Sequence, residues 1–283
     1  MKDKVIFYHA ECKDGFGGAW AAWKKFGGEA DYISIGHNSY LPDELKNKEI
    51  FFIDIIPGLV DGKAIKKLVE ENKSVVAIDH HRTNEPKMMF FKEHSFDNNH
   101  SGAVLAWKYF HPNKPMPRLL LFIEDMDIWK REYPESNKFI SALVLEDFSF
   151  ESWDKIASDI EEPEKLKEYL SKGDIVSRHS NKIIDWLSGT AILVDFEGYK
   201  VYAVNAPDFI KGQAANKLAE KLPPFAIAWV QEKDIVSVSL RAGKNDFDVS
   251  ELAQKYGGGG HKAAAGFSFP AGQPFPWKII KNE

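Results

Sequence analysis

Three apolar, β-branched runs in the first third of the chain each stop on residues able to bind a metal ion. KVIFYHA (4–10) reaches His9, EIFFIDIIP (49–57) reaches Asp54, and SVVAIDHH (74–81) ends in Asp79, His80 and His81. Helical patterns lie among them: GFGGAWAAWKKFG (15–27), with small residues near its start, and GKAIKKLVEENK (62–73), with an apolar stripe. Near-continuous apolar runs alternating with such helices specify an α/β fold, a mostly parallel sheet with helices on both faces. Ligands of such sheets gather beyond the carboxyl ends of the strands. Three strands therefore deliver carboxylates and imidazoles to one edge.

The pattern continues with a helix over 101–110, for which Ser101 is the expected N-cap, and another over 117–130 that ends in acids and Trp129. From about 150 to 187 the chain is charged and mostly helical, which reads as a linker. After Gly189 the texture becomes short and β-rich. AILVDF, YKVYAVNA, FAIAWV and IVSVSLRA read as strands, the last two as a hairpin, with helices over 211–222 and 249–257. With 283 residues, the chain exceeds the usual size of a single domain. The expected division is a metal-binding domain over 1–145, a helical linker over 146–189 and a smaller α/β domain over 190–283.

Charge narrows the function classes. Lys and Arg number 37 against 42 Asp and Glu, a formal charge of -5. That balance argues against coating long nucleic acid and leaves room for a short anionic ligand in a local basic cleft. Cys12 is the only cysteine, which excludes an intramolecular disulfide. The opening MKDKVIFYHA lacks the apolar stretch of a signal peptide or membrane span, so a cytoplasmic location is expected.

Carboxylates and imidazoles from several strand ends supply oxygen and nitrogen ligands suited to Mn²⁺ or Mg²⁺ and accessible to other first-row metals. Two such ions roughly 3.5 to 4 Å apart share a water, lower its pKa and clamp a phosphoryl group. The bland alternative is a strand end whose histidines sit in solvent. His9, Asp14 and Asp54 at matching edges weigh against it.

Taken in order, YHAECKDGFGGAW, FFIDIIP, AIDHHRT, SGAVLAW, FIEDMDIWK and YGGGGHKAAAGF resemble the DHH phosphoesterase superfamily. The similar branch carries a C-terminal DHH-associated domain and includes RecJ-type exonucleases and nano-RNases. The resemblance implies that His9 and Asp14 are metal ligands and that Asp54 is the carboxylate bridging both ions; one or two ions are expected, Mn²⁺ first, with Mg²⁺ or another first-row metal as alternatives. It implies His80 as a ligand oriented by Asp79, and His81 facing the substrate phosphate. Asp125 is the ligand expected from the fourth motif. Asp127 is the alternative, because the acid pair leaves the alignment ambiguous; a helix points the two to different sides, so only one should reach the cluster.

The tail has its own logic. Consecutive glycines let backbone N–H groups approach an anion and adopt positive φ, and such a nest can hold a phosphate. Gly258, Gly259, Gly260 and His261 are accordingly the expected substrate grip, with Arg241 resembling the basic residue that accompanies them. A flexible turn and a solvent-facing arginine are the plain alternatives.

One departure stands in the first motif. Members of the family usually carry two aspartates there, separated by one residue, and this chain has Cys12 in place of the first. Either Cys12 is a small semi-buried residue beside a metal position with fewer ligands, or its thiolate is itself a ligand, which would favour Zn²⁺ or Fe²⁺.

Other residues are assigned to structure. His37, His94, His100, His111 and His179 have no partner at ligand spacing, Trp20, Trp23 and Trp107 have core spacing, and Asp97 suits a helix cap. The expected function is hydrolysis of phosphodiester bonds in short oligonucleotides or dinucleotides by metal-activated water. Two alternatives remain: an exopolyphosphatase or pyrophosphatase, and a nucleotide sensor without catalysis. No membrane partner is expected, and a homodimer is left open.

Overall fold

The computed structural model describes residues 1–36, 39–42, 44–57 and 60–280; His37 lies outside them. The chain divides into two compact units, Met1–Ser177 and Arg178–Glu283.

In the first unit the elements run β1 (Lys4–His9), α1 (Lys13–Phe26), β2 (Ala30–Ile35), β3 (Glu49–Ile53), α2 (Gly62–Glu71), β4 (Ser74–Asp79), α3 (Glu85–Met88) and β5 (Glu93–Phe96). They continue through α4 (Gly102–Phe110), α5 (Arg118–Asp127), α6 (Ser136–Ala142), α7 (Phe150–Asp159) and α8 (Pro163–Gly189), in which the division falls. The five strands form one sheet in the order β2-β1-β3-β4-β5, every pair parallel. The two edge strands do not stand out in the sequence. β2 reads ADYISI and β5 reads EHSF, each mixing polar residues into a strand that is only partly covered.

The pleat sorts the central strands into two cores. Ile6, Phe51, Ile53, Val76 and Ile78 point to the face covered by α1, α4 and α5, where Trp20 stacks on Trp107 with ring centroids 5.4 Å apart. Val5, Phe7, Ile50, Phe52, Val75 and Ala77 point to the opposite face, against Ile65 and Val69 of α2. Each of these aliphatic side chains contributes about 1.5 to 3 kcal/mol on burial. A strand buried on both faces has no polar positions to spend until it ends. The first carboxylates and imidazoles therefore appear at its tip.

The stretch read as linker from its charge is partly core. Trp153, Ile156 and Ile160 form a stripe on and just beyond α7 that is buried in the first unit, and Tyr169 of α8 joins them. Phe16 packs edge-on to Trp153 at 4.7 Å and stacks on Phe150 at 5.1 Å. The charges that suggested a linker form the solvated face of an amphipathic helix.

The second unit contains β6 (Ile192–Phe196), β7 (Tyr199–Asn205), α9 (Asp208–Lys221), β8 (Ala226–Glu232), β9 (Ile235–Arg241), α10 (Val249–Lys255), β10 (Gly259–His261), β11 (Ala264–Pro270) and β12 (Lys278–Ile279). Its sheet is mixed, in the order β10-β11-β9-β8-β7-β6-β12, with only β7 and β8 parallel. One face carries Phe196, Phe225, Leu240 and Phe267, and the other packs Ile210, Ala214 and Leu218 of α9. Among the described residues no helix is long and apolar enough to cross a membrane.

Candidate metal centre

β1, β3 and β4 are neighbours in the sheet, and all three end on the same edge. His9 closes β1, Asp54 follows β3 and Asp79 closes β4. Asp54 keeps its backbone N–H in the ladder, donating to Ile78 O at 2.8 Å, but its φ is 62°. A left-handed aspartate is strained, and such strain persists only where surrounding bonds hold it. Here the carboxylate is held on both sides. Oδ2 lies 3.2 Å from His9 Nδ1, and Oδ1 lies 3.1 Å from His80 Nε2.

Asp14, on the first turn of α1, is buried and reaches the start of α4. It accepts hydrogen bonds from the backbone N–H of Gly102 at 2.6 Å and of Ala103 at 2.9 Å. These are N–H groups that a helix leaves unpaired at its N-terminus, where a negative charge is welcome. Ser101 caps the same turn by accepting from Val104 N. Glu124 of α5 steadies that turn, accepting from Ser101 N at 2.9 Å and pairing with His100 and Lys130. Sequence reasoning missed Gly102, Ala103 and Glu124. Ser101 as a cap was the only available signal.

Asp79 serves His81 more than His80. Its Oδ1 accepts from His81 Nδ1 at 2.7 Å and from the backbone N–H groups of His80 and His81, and its Oδ2 accepts from Asn84 Nδ2 at 2.7 Å. The expectation that Asp79 orients the His80 ring is therefore corrected. His80 Nε2 instead sits among three carboxylates, 3.1 Å from Asp54, 3.5 Å from Asp14 and 3.5 Å from Asp127.

Asp125 is also corrected. Its carboxylate accepts from Glu132 N at 2.6 Å and from Ser136 Oγ, tying the end of α5 to the start of α6. Asp127, two residues on, projects from the other side of the helix and joins Asp14 and His80 with ligand atoms within 4.8 Å of one another. Two more such groups exist in this unit, His9 with Cys12 and Asp54, and Asp54 with Asp79 and His81.

In the second unit the glycine run is mainly a strand. β10 is an edge strand paired antiparallel with β11, and a side chain at Gly258 or Gly260 would meet the carbonyl oxygens of Gly266 at 2.0 Å or Ala264 at 2.6 Å. Tight strand approach is thus sufficient reason for those two glycines. Gly259 and His261 belong to the same short strand. His261 pairs with Ala264, which pairs with Arg241, so the pleat puts Arg241 and His261 in one row on one face. The guanidinium of Arg241 donates to Leu240 O at 2.9 Å beside Gly212 of α9.

Residues 198–276 match the DHHA1 domain family. The fold of the whole chain is that of the DHH domain of a member of the s1p family of ribosomal proteins, at TM-score 0.59 and 14% identity over 99% of this chain and 83% of the other. It is also similar to RecJ of Thermus thermophilus solved with Mn²⁺, at TM-score 0.51 and 14% identity over 94% of this chain and 49% of RecJ. Residues 198–276 thus carry a DHHA1 domain, and the chain has the fold of DHH-domain proteins. An uncharacterized protein of Acanthamoeba polyphaga mimivirus, R106, is 29% identical over 94% of this chain and 67% of its own length.

The electrostatics of the edge formed by β1, β3 and β4 suit a divalent cation. Burial, with the Asp54 and Asp127 charges, pushes the Asp14 carboxyl well above its ordinary range, and burial likewise raises Asp127. Burial pushes Asp54 up too, but hydrogen bonds from His80 and His9 outweigh it and hold this carboxyl well below its ordinary value. Burial pulls His80 down, and Asp54, Asp14 and Asp127 more than reverse that, raising it to about 10. The His80 ring stands where carboxylate charge collects. Asp127 Oδ2 is buried and accepts no hydrogen bond among the described residues. A buried carboxylate oxygen with no donor, beside oxygen and nitrogen donors from Asp14, Asp54 and His80, fits a divalent ion.

Proposed function

We infer that the protein is a metal-dependent hydrolase of phosphodiester bonds in short oligonucleotides or dinucleotides. One observation carries this reading: the two oxygens of Asp54 face different imidazoles, Oδ2 toward His9 and Oδ1 toward His80. A carboxylate placed in that way can be shared by two ions. His9 and Asp54 would hold one ion, and Asp14, His80, Asp127 and Asp54 the other. Ions bound there supply an acidified water and neutralise charge on the phosphoryl oxygens.

The chain's own groups do the positioning. Asp79 receives the His81 Nδ1 hydrogen bond and so orients that ring, whose Nε2–H is assigned to a phosphoryl oxygen. In the metal-free protein burial pulls His81 down but the Asp79 charge and hydrogen bond outweigh it, raising it to about 9. The N-terminus of α4 holds Asp14 fixed through Gly102 and Ala103. Within the second unit, Arg241 and His261 share a face of the sheet and are assigned to an anionic group of the substrate. The formal charge of -5 favours short substrates over long strands. The Mn²⁺ held by RecJ of Thermus thermophilus supports Mn²⁺ as the first ion to test.

The test is Mn²⁺-dependent release of mononucleotide from a 5′-phosphorylated dinucleotide, a cyclic dinucleotide and a longer oligonucleotide, and of phosphate from polyphosphate, with Asp54→Asn alongside. Turnover of the short nucleotides should fall by about 100-fold or more in the variant, beyond the cost of removing a merely supporting residue. Phosphate from polyphosphate alone would replace this reading with a phosphoanhydride hydrolase. Silence on every substrate would leave a sensor.

A further inference from the structure

The donor groups on the two sides of Asp54 differ in chemistry. Asp14, His80 and Asp127 offer two carboxylates and an imidazole, whereas His9, Cys12 and Asp54 offer an imidazole, a thiol and a carboxylate, each set with ligand atoms within 4.8 Å of one another. Oxygen donors suit Mg²⁺ and Mn²⁺, and sulfur selects softer ions. We propose that Cys12 Sγ is a ligand to an ion shared with His9 and Asp54, so that this position takes a softer cation such as Zn²⁺ or Fe²⁺ while the Asp14–His80–Asp127 position takes Mn²⁺ or Mg²⁺. The proposal rests on the metal-dependent reading above and adds to it that the two positions are unlike.

Cys12 is the N-cap residue of α1, with extended backbone at φ -114° and ψ 132°, and offers its sulfur to the backbone N–H of Gly15. Sulfur is a weak acceptor, and Ser, Thr, Asp or Asn would cap that turn better by about 1 kcal/mol. Cys12 is half-buried and lines a cavity of about 430 Å³ together with Tyr8, Lys13, Ser34 and Phe148. Three protein donors are the number that holds a catalytic ion, in contrast to the four-ligand cage of a structural zinc.

Co²⁺ is the probe. A Co²⁺–thiolate bond gives a near-ultraviolet charge-transfer absorption that carboxylate and imidazole ligands do not give. Titrating the full-length wild-type chain with Co²⁺ should produce this band, and Cys12→Ser, nearly isosteric, should lose it while keeping the visible absorption of Co²⁺ at the other position. Zn²⁺ affinity should fall by about 10- to 100-fold in Cys12→Ser, with the Mn²⁺ affinity of the Asp14–His80–Asp127 position changed by less than about threefold. Should Cys12→Ser fail to fold, the wild-type spectrum decides alone, backed by protection of the thiol from a disulfide-exchange reagent when Zn²⁺ is added. Bound Co²⁺ without the charge-transfer band overturns the sulfur ligand and leaves the metal-dependent reading standing. No Co²⁺ binding at all overturns both.

Discussion

Gly102 donates its backbone N–H to Asp14 Oδ2 at 2.6 Å, a bond that joins α4 to α1 across 88 positions of the chain. The same glycine lies against the other central carboxylate. A side chain there would place its Cβ 2.7 Å from Asp54 Cβ and 3.0 Å from Asp14 Oδ2. Gly102→Ala should therefore push the start of α4 away from both acids. The expected result is a loss of about 1 to 3 kcal/mol in urea denaturation. Mn²⁺ binding measured by calorimetry should weaken by about 10-fold or more. Wild-type values of both would show that the helix can shift freely.

Asp125 and Asp127 should separate stability from metal binding. Asp125→Ala removes the acceptor of Glu132 N and one of two acceptors of Ser136 Oγ, which keeps Tyr133 O, at a cost of about 1 kcal/mol. Its Mn²⁺ affinity should stay close to wild type. Asp127→Asn should do the reverse, weakening Mn²⁺ binding by about 10- to 100-fold with stability changed by less than about 1 kcal/mol. Equal behaviour of the two variants would contradict the placement of either carboxylate.

In the metal-free protein, His81 is raised from 6.5 to about 9 once the Asp79 interactions have outweighed burial. A group whose folded pKa lies above its unfolded value stabilises the fold fully below the unfolded pKa, and the contribution disappears as pH rises through the folded value. His81 thus supports the fold below about 6.5 and ceases to do so above about 9. An NMR titration of its ring should show the raised midpoint in the wild type and a lower one in Asp79→Asn. An unchanged midpoint in the variant would mean that Asp79 is not the cause.

The opposite sign holds at Asp159. Its carboxylate lies 2.6 Å from Lys155 of α7 and 2.9 Å from Lys165 of α8, and hydrogen bonds from these two lysines pull it from 3.8 down to about 2. This contribution is present above the unfolded value and lost as pH falls through about 2. Both lysines are solvent-exposed, so screening limits it to about 1 kcal/mol. Asp159→Asn should cost that amount in denaturation at neutral pH and nothing in strong acid. A difference that persists in acid would assign the effect to packing.

Much of the candidate edge could be read from where apolar runs stop. KVIFYH, EIFFI and SVVAID are buried on both faces, so His9, Asp54 and Asp79 mark the strand ends in the sequence itself. The parts that could not be read depend on distant chain. Asp14 is held by amides of α4, Asp79 turns out to grip His81, and the side of α5 facing the edge, which favours Asp127, is set by packing against α1. The glycine run showed the need for absent side chains but not its cause. The cause is a neighbouring strand, β11, which periodicity in the run itself cannot reveal. The charges of 146–189 concealed Trp153 in the same way, because a short apolar stripe on a charged helix is easily averaged out.

Asp54 is one anion with two claimants. Ions held on its Oδ1 and Oδ2 sides could not load independently, because the first to arrive neutralises the carboxylate that the second needs. Linkage makes this reciprocal: whatever penalty one ion imposes on its neighbour's affinity, the neighbour imposes on it in return. Titration with a single metal would then resolve into a tight step and a weak one even if the two donor sets were equally good. The population carrying both ions would rise with the square of metal concentration wherever both steps are far from saturation, so turnover that needs both would respond to metal supply more steeply than either binding step alone.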